Sequence, residues 1–257
     1  MTRRQLDQIY RRYNRRKYVS PDPLQFLYDY PDIQDREIAG LIASCFAYGR
    51  VAGILSSVSR ILNFMGPSPR EFLRECTEKT LLETYDGFRH RFATHRELIA
   101  LLLGISGLFR KYGSLNECFL AFSRNKDSTV MPALQGFVDA TGCAGNHLLP
   151  SPSKGSACKR LNLFLRWMVR KDAVDPGGWQ GIDRNKLVIP LDVHMSRIAL
   201  RMGLTERKSC GIRTALEITE AFRNINASDP VKYDFALTRF GIRNDLAEPR
   251  FLRAPAG

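Results

Sequence analysis

The sequence lacks paired cysteines, is poor in histidine and contains no long apolar run. Its six cysteines, Cys45, Cys76, Cys118, Cys143, Cys158 and Cys210, are spread singly, with no C-x-x-C among them. Zinc ribbons and cysteine-ligated iron–sulfur clusters use closely spaced pairs, so this spacing counts against both. Reduced thiols filling a core in a reducing compartment are expected instead. Four histidines without H-x-x-x-H spacing give no metal site, and His194 is read as a structural hydrogen-bonding residue. Neither a metal nor any other cofactor is expected. No apolar stretch approaches the roughly 18 to 20 residues of a membrane span, and no secretory apolar segment opens the chain. A cytoplasmic, nucleoid-associated protein is therefore expected.

Acidic residues are the other deficit. Against 39 Lys and Arg stand 26 Asp and Glu, a formal charge of +13 over 257 residues. Such an excess draws polyanions by long-range attraction, nucleic acid first and an acidic membrane surface second. With 44% hydrophobic residues the chain can bury a substantial core.

Strand signals are scarce, whereas helical periodicity recurs. Leu6, Ile9, Tyr10 and Tyr13 fall at i, i+3, i+4 and i+7, with Arg4, Arg11 and Arg15 on the other side, which predicts an amphipathic basic helix. Three prolines in "SPDPLQFLYDYPD" predict extended or turn geometry. The apolar run over residues 35–66 predicts two core helices broken near Gly49 and ending at Gly66-Pro67. Shorter helices follow, with aromatic seams at Phe88, Phe92, Phe109, Tyr112, Phe119 and Phe122. A Gly/Ser/Pro loop, "TGCAGNHLLPSPSKGS", then leads into "SACKRLNLFLRWMVRKD". The tail "EPRFLRAPAG" is expected to fray. The fold class is all-α, one unit over residues 1–257 in two helical lobes.

Two stretches carry the chemistry. In the first, Leu161, Phe164, Leu165 and Met168 mark a buried helical face, and Lys159, Arg166 and Arg170 cluster nearly opposite. This stripe reads either as a solvated basic face or, since Leu163 and Trp167 lie beside it, as the wall of a cleft. The preceding "PSPSKGSA" loop reads as a helix cap or as a phosphate dock. In the second, "VIPLDVHMSRIALRMGL", Asp192 falls at the start of a helix whose apolar side is Met195, Ile198, Ala199 and Met202, with Gly203 as its stop. Asp192 is then a helix cap, or the partner of a catalytic group. In "SDPVKYDFALTRFGI", Asp229 is read as a cap with Pro230 in the first helical position, and Asp234 lies in an otherwise apolar helix.

"GSACKRLNLFLRWMV" resembles the hairpin-plus-helix that carries the catalytic lysine of the helix-hairpin-helix DNA glycosylases. "VIPLDVHMSRIALRMGL" resembles their second signature, in which an aspartate opens a helix. The spacing from Lys159 to Asp192 is similar to that of the archaeal 8-oxoguanine glycosylase branch, and "LIASCFAYGRV" is similar to a core helix of the superfamily. The chain also resembles a family of uncharacterised bacterial proteins sharing the SACKRLN and PLDVH blocks. The likeness is concentrated in residues 150–245. It departs at the hairpin, where "LPSPSKGSA" stands in place of L-P-G-x-G.

The resemblance implies a helix-hairpin-helix glycosylase-like fold with a cleft between its lobes, acting on double-stranded DNA with a damaged base. By the same resemblance Lys159 is the nucleophile that forms a Schiff base and Asp192 stabilises charge on the sugar. Free lysine is protonated at neutral pH, so such a nucleophile needs desolvation or cationic neighbours, here Arg160, Arg166 and Arg170. Asp234 matches a base-contacting aspartate of the archaeal branch. Trp167 and Trp179 are read as stacking platforms or as core, and Phe46 as a wedge or as packing. Lys154 and Gly155 join the three arginines as DNA contacts. The implied activity is removal of an oxidised purine such as 8-oxoguanine, with lyase chemistry. The other reading is a helix-hairpin-helix nucleic-acid-binding protein without chemistry. Oligomeric state is left open.

Overall fold

The computed structural model describes residues 2–143, 145–243 and 245–246, so the "EPRFLRAPAG" tail lies outside the described residues. The architecture is all-α, with one short hairpin. Helix α1 (Arg3–Tyr13) opens on a reciprocal cap between Thr2 and Gln5, and buries Leu6, Ile9 and Tyr13. Residues Pro23–Asp29 form a 3₁₀ helix rather than the expected extended turn. Pro23 has the fixed φ that suits a first helical position, and Asp22 caps the Leu24 N–H at 3.0 Å.

The apolar run splits as expected, into α2 (Ile33–Cys45) and α3 (Val51–Met65). Helix α2 is buried along most of its length, including the ionisable Glu37. Its break falls at Gly49, whose φ of 99° only glycine adopts readily, and where a Cβ would lie 2.7 Å from the Arg91 side chain. Helices α4 (Pro69–Glu75), α5 (Glu78–Thr84), α6 (His95–Tyr112), α7 (Leu115–Phe122) and α8 (Met131–Ala140) follow. Between α5 and α6, strands β1 (Arg89–His90) and β2 (Ala93–Thr94) form an antiparallel hairpin. The aromatic seam holds for Phe88 and Phe119, which are buried. It fails for Phe92, which sits at the hairpin tip and is 77% exposed.

Helices α9 (Lys159–Val169), α10 (Val193–Arg201), α11 (Ile212–Ile225) and α12 (Asp234–Ile242) complete the chain. Helix α9 packs on α2, α10 on α12, and α12 on α1. The two ends of the described chain are thus joined, and Lys232 and Tyr233 both reach Asp7 on α1, at 2.7 and 3.0 Å. No single helix among the described residues is long and apolar enough to cross a membrane.

Candidate active site

Lys159 is the first residue of α9, and Asp192 caps α10. The two helix starts face one another, placing Lys159 Nζ 3.5 Å from Asp192 Oδ2, with side chains 34% and 17% exposed. The carboxylate divides its work. Oδ1 accepts the N–H groups of His194 and Met195, both at 2.9 Å, while Oδ2 faces the lysine. Capping and pairing with Lys159 therefore coexist in one residue. Both side chains line a cleft of about 680 Å³, within the range of small-molecule and cofactor pockets. Just before Lys159, Cys158 has φ 47°, a left-handed backbone unusual for a residue with a side chain, and no side chain caps α9. Burial pushes the Cys158 thiol up to about 11.

Arg160 turns into the same cleft. Its guanidinium donates to the carbonyls of Cys45, at 2.6 Å, and His147, and lies over the Tyr48 ring at 4.9 Å. No carboxylate pairs with Arg160 among the described residues, so its charge persists beside the lysine; burial disfavours that charge and lowers its pKa from the usual guanidinium range.

Of the two readings of the stripe, the solvated basic face fails for Arg166 and Arg170, while Arg166 does lie in the cleft wall. Each is 3% exposed. Arg166 pairs with Asp175 and Asp234, and Arg170 pairs with Asp172, Asp175 and Asp229. Two guanidiniums face four carboxyls, so neither arginine is available to a phosphate, and neither lends net positive charge to Lys159. Asp229 does not cap α12, as its carboxylate is held by Arg170 and the helix begins at Asp234. Asp234 accordingly opens α12 instead of lying within it. It is 2% exposed and lines the cleft, and burial pushes its carboxyl up to about 6.

Other expected contacts fall elsewhere. Phe46 is fully buried, edge-on to Phe88 and His90, and cannot act as a wedge from there. Trp167 and Trp179 are core residues, and Trp179 donates to Glu37 Oε2 at 2.6 Å. Neither tryptophan lines the cleft. Lys154 and Gly155 are exposed in the loop before α9. Leu163 lies in the cleft wall. The His194 ring makes no hydrogen bond among the described residues. It packs on Gly241, where a Cβ would meet its Nδ1 at 2.2 Å.

Sequence reasoning missed a charged part of the cleft wall. Asp22 and Arg239 line the cleft and pair at 2.8 Å across 217 residues of sequence. The available signal was Arg239 itself, a charged residue in the apolar stretch "DFALTRFGI" that drew attention only to Asp234.

A family model described as a protein of unknown function, DUF2400, matches residues 22–243, and the chain belongs to that family. Comparison with curated proteins and with solved structures finds no match.

Proposed function

We propose that this DUF2400 protein is a DNA base-excision repair glycosylase with Schiff-base (AP lyase) chemistry, acting on an oxidised purine such as 8-oxoguanine in duplex DNA. The observation that carries this reading is the Lys159–Asp192 pair at 3.5 Å in the wall of the cleft. The cap on α10 uses Oδ1 alone, and a protein that only gripped phosphate would gain nothing from the second oxygen facing the lysine. In the helix-hairpin-helix reading, residues 149–157 before α9 take the place of the hairpin, and the cleft separates the lobes and receives the extruded nucleotide.

The chemistry asks specific things of these residues. Asp192 Oδ2 takes a proton from the Lys159 ammonium, and the freed lone pair attacks C1′ of the extruded nucleotide. The C1′–N bond breaks with its electron pair passing to the base, which leaves with the proton that Asp192 received. Once that proton has passed to the base, the Asp192 carboxylate stabilises the positive charge on the sugar and its attached nitrogen. The attached Lys159 nitrogen gives one of its two protons to Asp192, and the lone pair so freed forms the C=N bond of the Schiff base as ring oxygen O4′ departs from C1′ with its electron pair and takes that proton from Asp192. Loss of a C2′ proton expels the 3′ phosphate. The cap on α10 leaves Oδ2 free for these steps.

The rim suits a polyanion. Arg50, Arg91 and Lys154 are exposed and unpaired with carboxylates among the described residues, and Arg50 sits between two residues of the cleft wall, Gly49 and Val51.

Borohydride trapping on duplexes bearing different lesions tests the reading with wild type, Lys159→Ala and Asp192→Asn. A covalent adduct formed by wild type and lost in Lys159→Ala is the expected result. Salt-sensitive binding by all three proteins with no adduct on any lesion would instead identify a non-catalytic nucleic-acid-binding protein.

A further inference from the structure

A second concentration of charge lies outside the cleft. From Arg3 to Lys17 the chain carries seven Lys and Arg against one acid, Asp7, which is nearly half of its +13. All seven cations are exposed, and none lines the cleft. Asp7 is already engaged by Lys232 at 2.7 Å and Tyr233 at 3.0 Å, and Arg3 reaches it only at 3.9 Å. The other six pair with no carboxylate among the described residues. Arg3 and Arg4 also stand in the first turn of α1, where no acid offsets the positive end of the helix dipole. Only Arg11 and Arg12, in the last turn, sit where the dipole favours a cation. The fold thus has no use for most of this charge. Two of the guanidiniums are nevertheless held in place with donors to spare. Arg16 lies over the Tyr28 ring at 3.6 Å, and the Tyr28 hydroxyl is itself fixed on the Val174 carbonyl. Stacking of this kind leaves the planar fork of N–H groups open to a phosphate. Arg15 donates Nε to the Arg11 carbonyl at 3.3 Å, which leaves its Nη groups for another acceptor.

What the stretch lacks decides between polyanions. A helix that lies on a membrane sinks an apolar face into the lipid. The apolar face of α1, Leu6, Ile9 and Tyr13, is buried in the protein, and every exposed residue from Thr2 to Ser20 is polar. A membrane would meet charge alone, whereas a duplex asks for nothing more, since its phosphates bind by release of counterions. The run also has the reach to follow a backbone. Helix α1 is about 16 Å long, and soon after the 3₁₀ turn Arg16–Tyr18 the chain enters the cleft wall at Pro21, Asp22 and Pro23. We infer that α1 and the turn after it form a backbone-gripping surface for duplex DNA outside the cleft, with Arg11, Arg12, Arg15 and Arg16 on phosphates. This surface reads no bases and needs no lesion. The choice of DNA over RNA rests on the proposed function, while the phosphate contact does not.

Fluorescence anisotropy of the full chain on an undamaged duplex, over a series of salt concentrations, tests the inference. Wild type is compared with a variant carrying Arg11→Gln, Arg12→Gln, Arg15→Gln and Arg16→Gln. In the variant the slope of log affinity against log salt should fall by about three to four, and affinity at low salt by about tenfold or more. An unchanged slope overturns the inference. So does tighter binding of the wild type to duplex RNA of the same sequence, or a variant that loses phosphatidylglycerol vesicles and keeps DNA. If the variant fails to fold, phenylglyoxal modification of the wild type decides. Added duplex should slow the reaction at these four arginines several-fold, and equal rates with and without duplex overturn the inference. The two readings fail separately. A reduced slope with no borohydride adduct on any lesion sinks the chemistry and keeps the surface. Adducts together with an unchanged slope sink the surface and keep the chemistry.

Discussion

Asp192 has one oxygen for the fold and one for the lysine, and these roles separate by substitution. Asparagine caps helices about as well as aspartate. Asp192→Asn should therefore keep its stability within about 0.5 kcal/mol in denaturant unfolding while slowing single-turnover excision by at least tenfold. Asp192→Ala should lose the cap as well, about 1 kcal/mol. Equal unfolding midpoints for the two variants would contradict the division. Arg170 gives the opposite kind of prediction. Because it is buried against Asp172, Asp175 and Asp229, Arg170→Met strands carboxylates in the core and should cost about 3–5 kcal/mol. A surface arginine would cost almost nothing, so an unchanged thermal midpoint would refute its placement. These residues also mark where the sequence can be read and where it cannot. The helices that Lys159 and Asp192 open were legible from their apolar sides, and the pairing of the two residues was given only by the resemblance. The burial of Arg166 and Arg170 was not legible, since their partners at 175, 229 and 234 come from later segments that periodicity cannot bring together.

At the scale of elements, Glu37 links α2 to α7 and to the segment that follows α9. Its carboxylate accepts the first N–H groups of α7, from Leu115 at 2.8 Å and Asn116 at 3.2 Å, and the Trp179 indole. Burial pushes it up from its ordinary 4.5 to about 7. The folded state thus keeps a proton that the unfolded chain releases above pH 4.5. Stability from this residue is therefore greatest below that pH and falls as pH rises to about 7. Relative to Glu37→Gln, which does not titrate, the wild type should lose on the order of 3 kcal/mol between pH 4.5 and 7.5. Denaturant unfolding across this range checks it, and parallel curves for the two proteins would contradict it. The helices that flank Glu37 were readable from their apolar spacing, and so was the break at Gly49. The β1–β2 hairpin and the 3₁₀ helix at Pro23–Asp29 were not, because two-residue strands are too short to set up a period and the prolines of the second stretch read as extended or turn geometry.

At the scale of the molecule, charge and cleft belong together. Residues near both ends of the described chain, Asp22 and Arg239, pair in the wall of the cleft, an assembly that no local pattern in the sequence contains. The +13 charge was legible from composition alone, but its distribution was not, since Arg166, Arg170 and Arg239 are buried in ion pairs. If exposed Arg50 and Lys154 contact phosphate, their replacement by alanine should each lower the slope of log affinity for duplex DNA against log salt by about one. An unchanged slope in both variants would place the DNA elsewhere. The most direct test of the central claim is peptide mapping by mass spectrometry after borohydride reduction of the complex with a lesion duplex. The account predicts sugar carbon attached to the peptide containing Lys159 and to no other. Attachment to a different residue, or no attachment on any lesion, would contradict it.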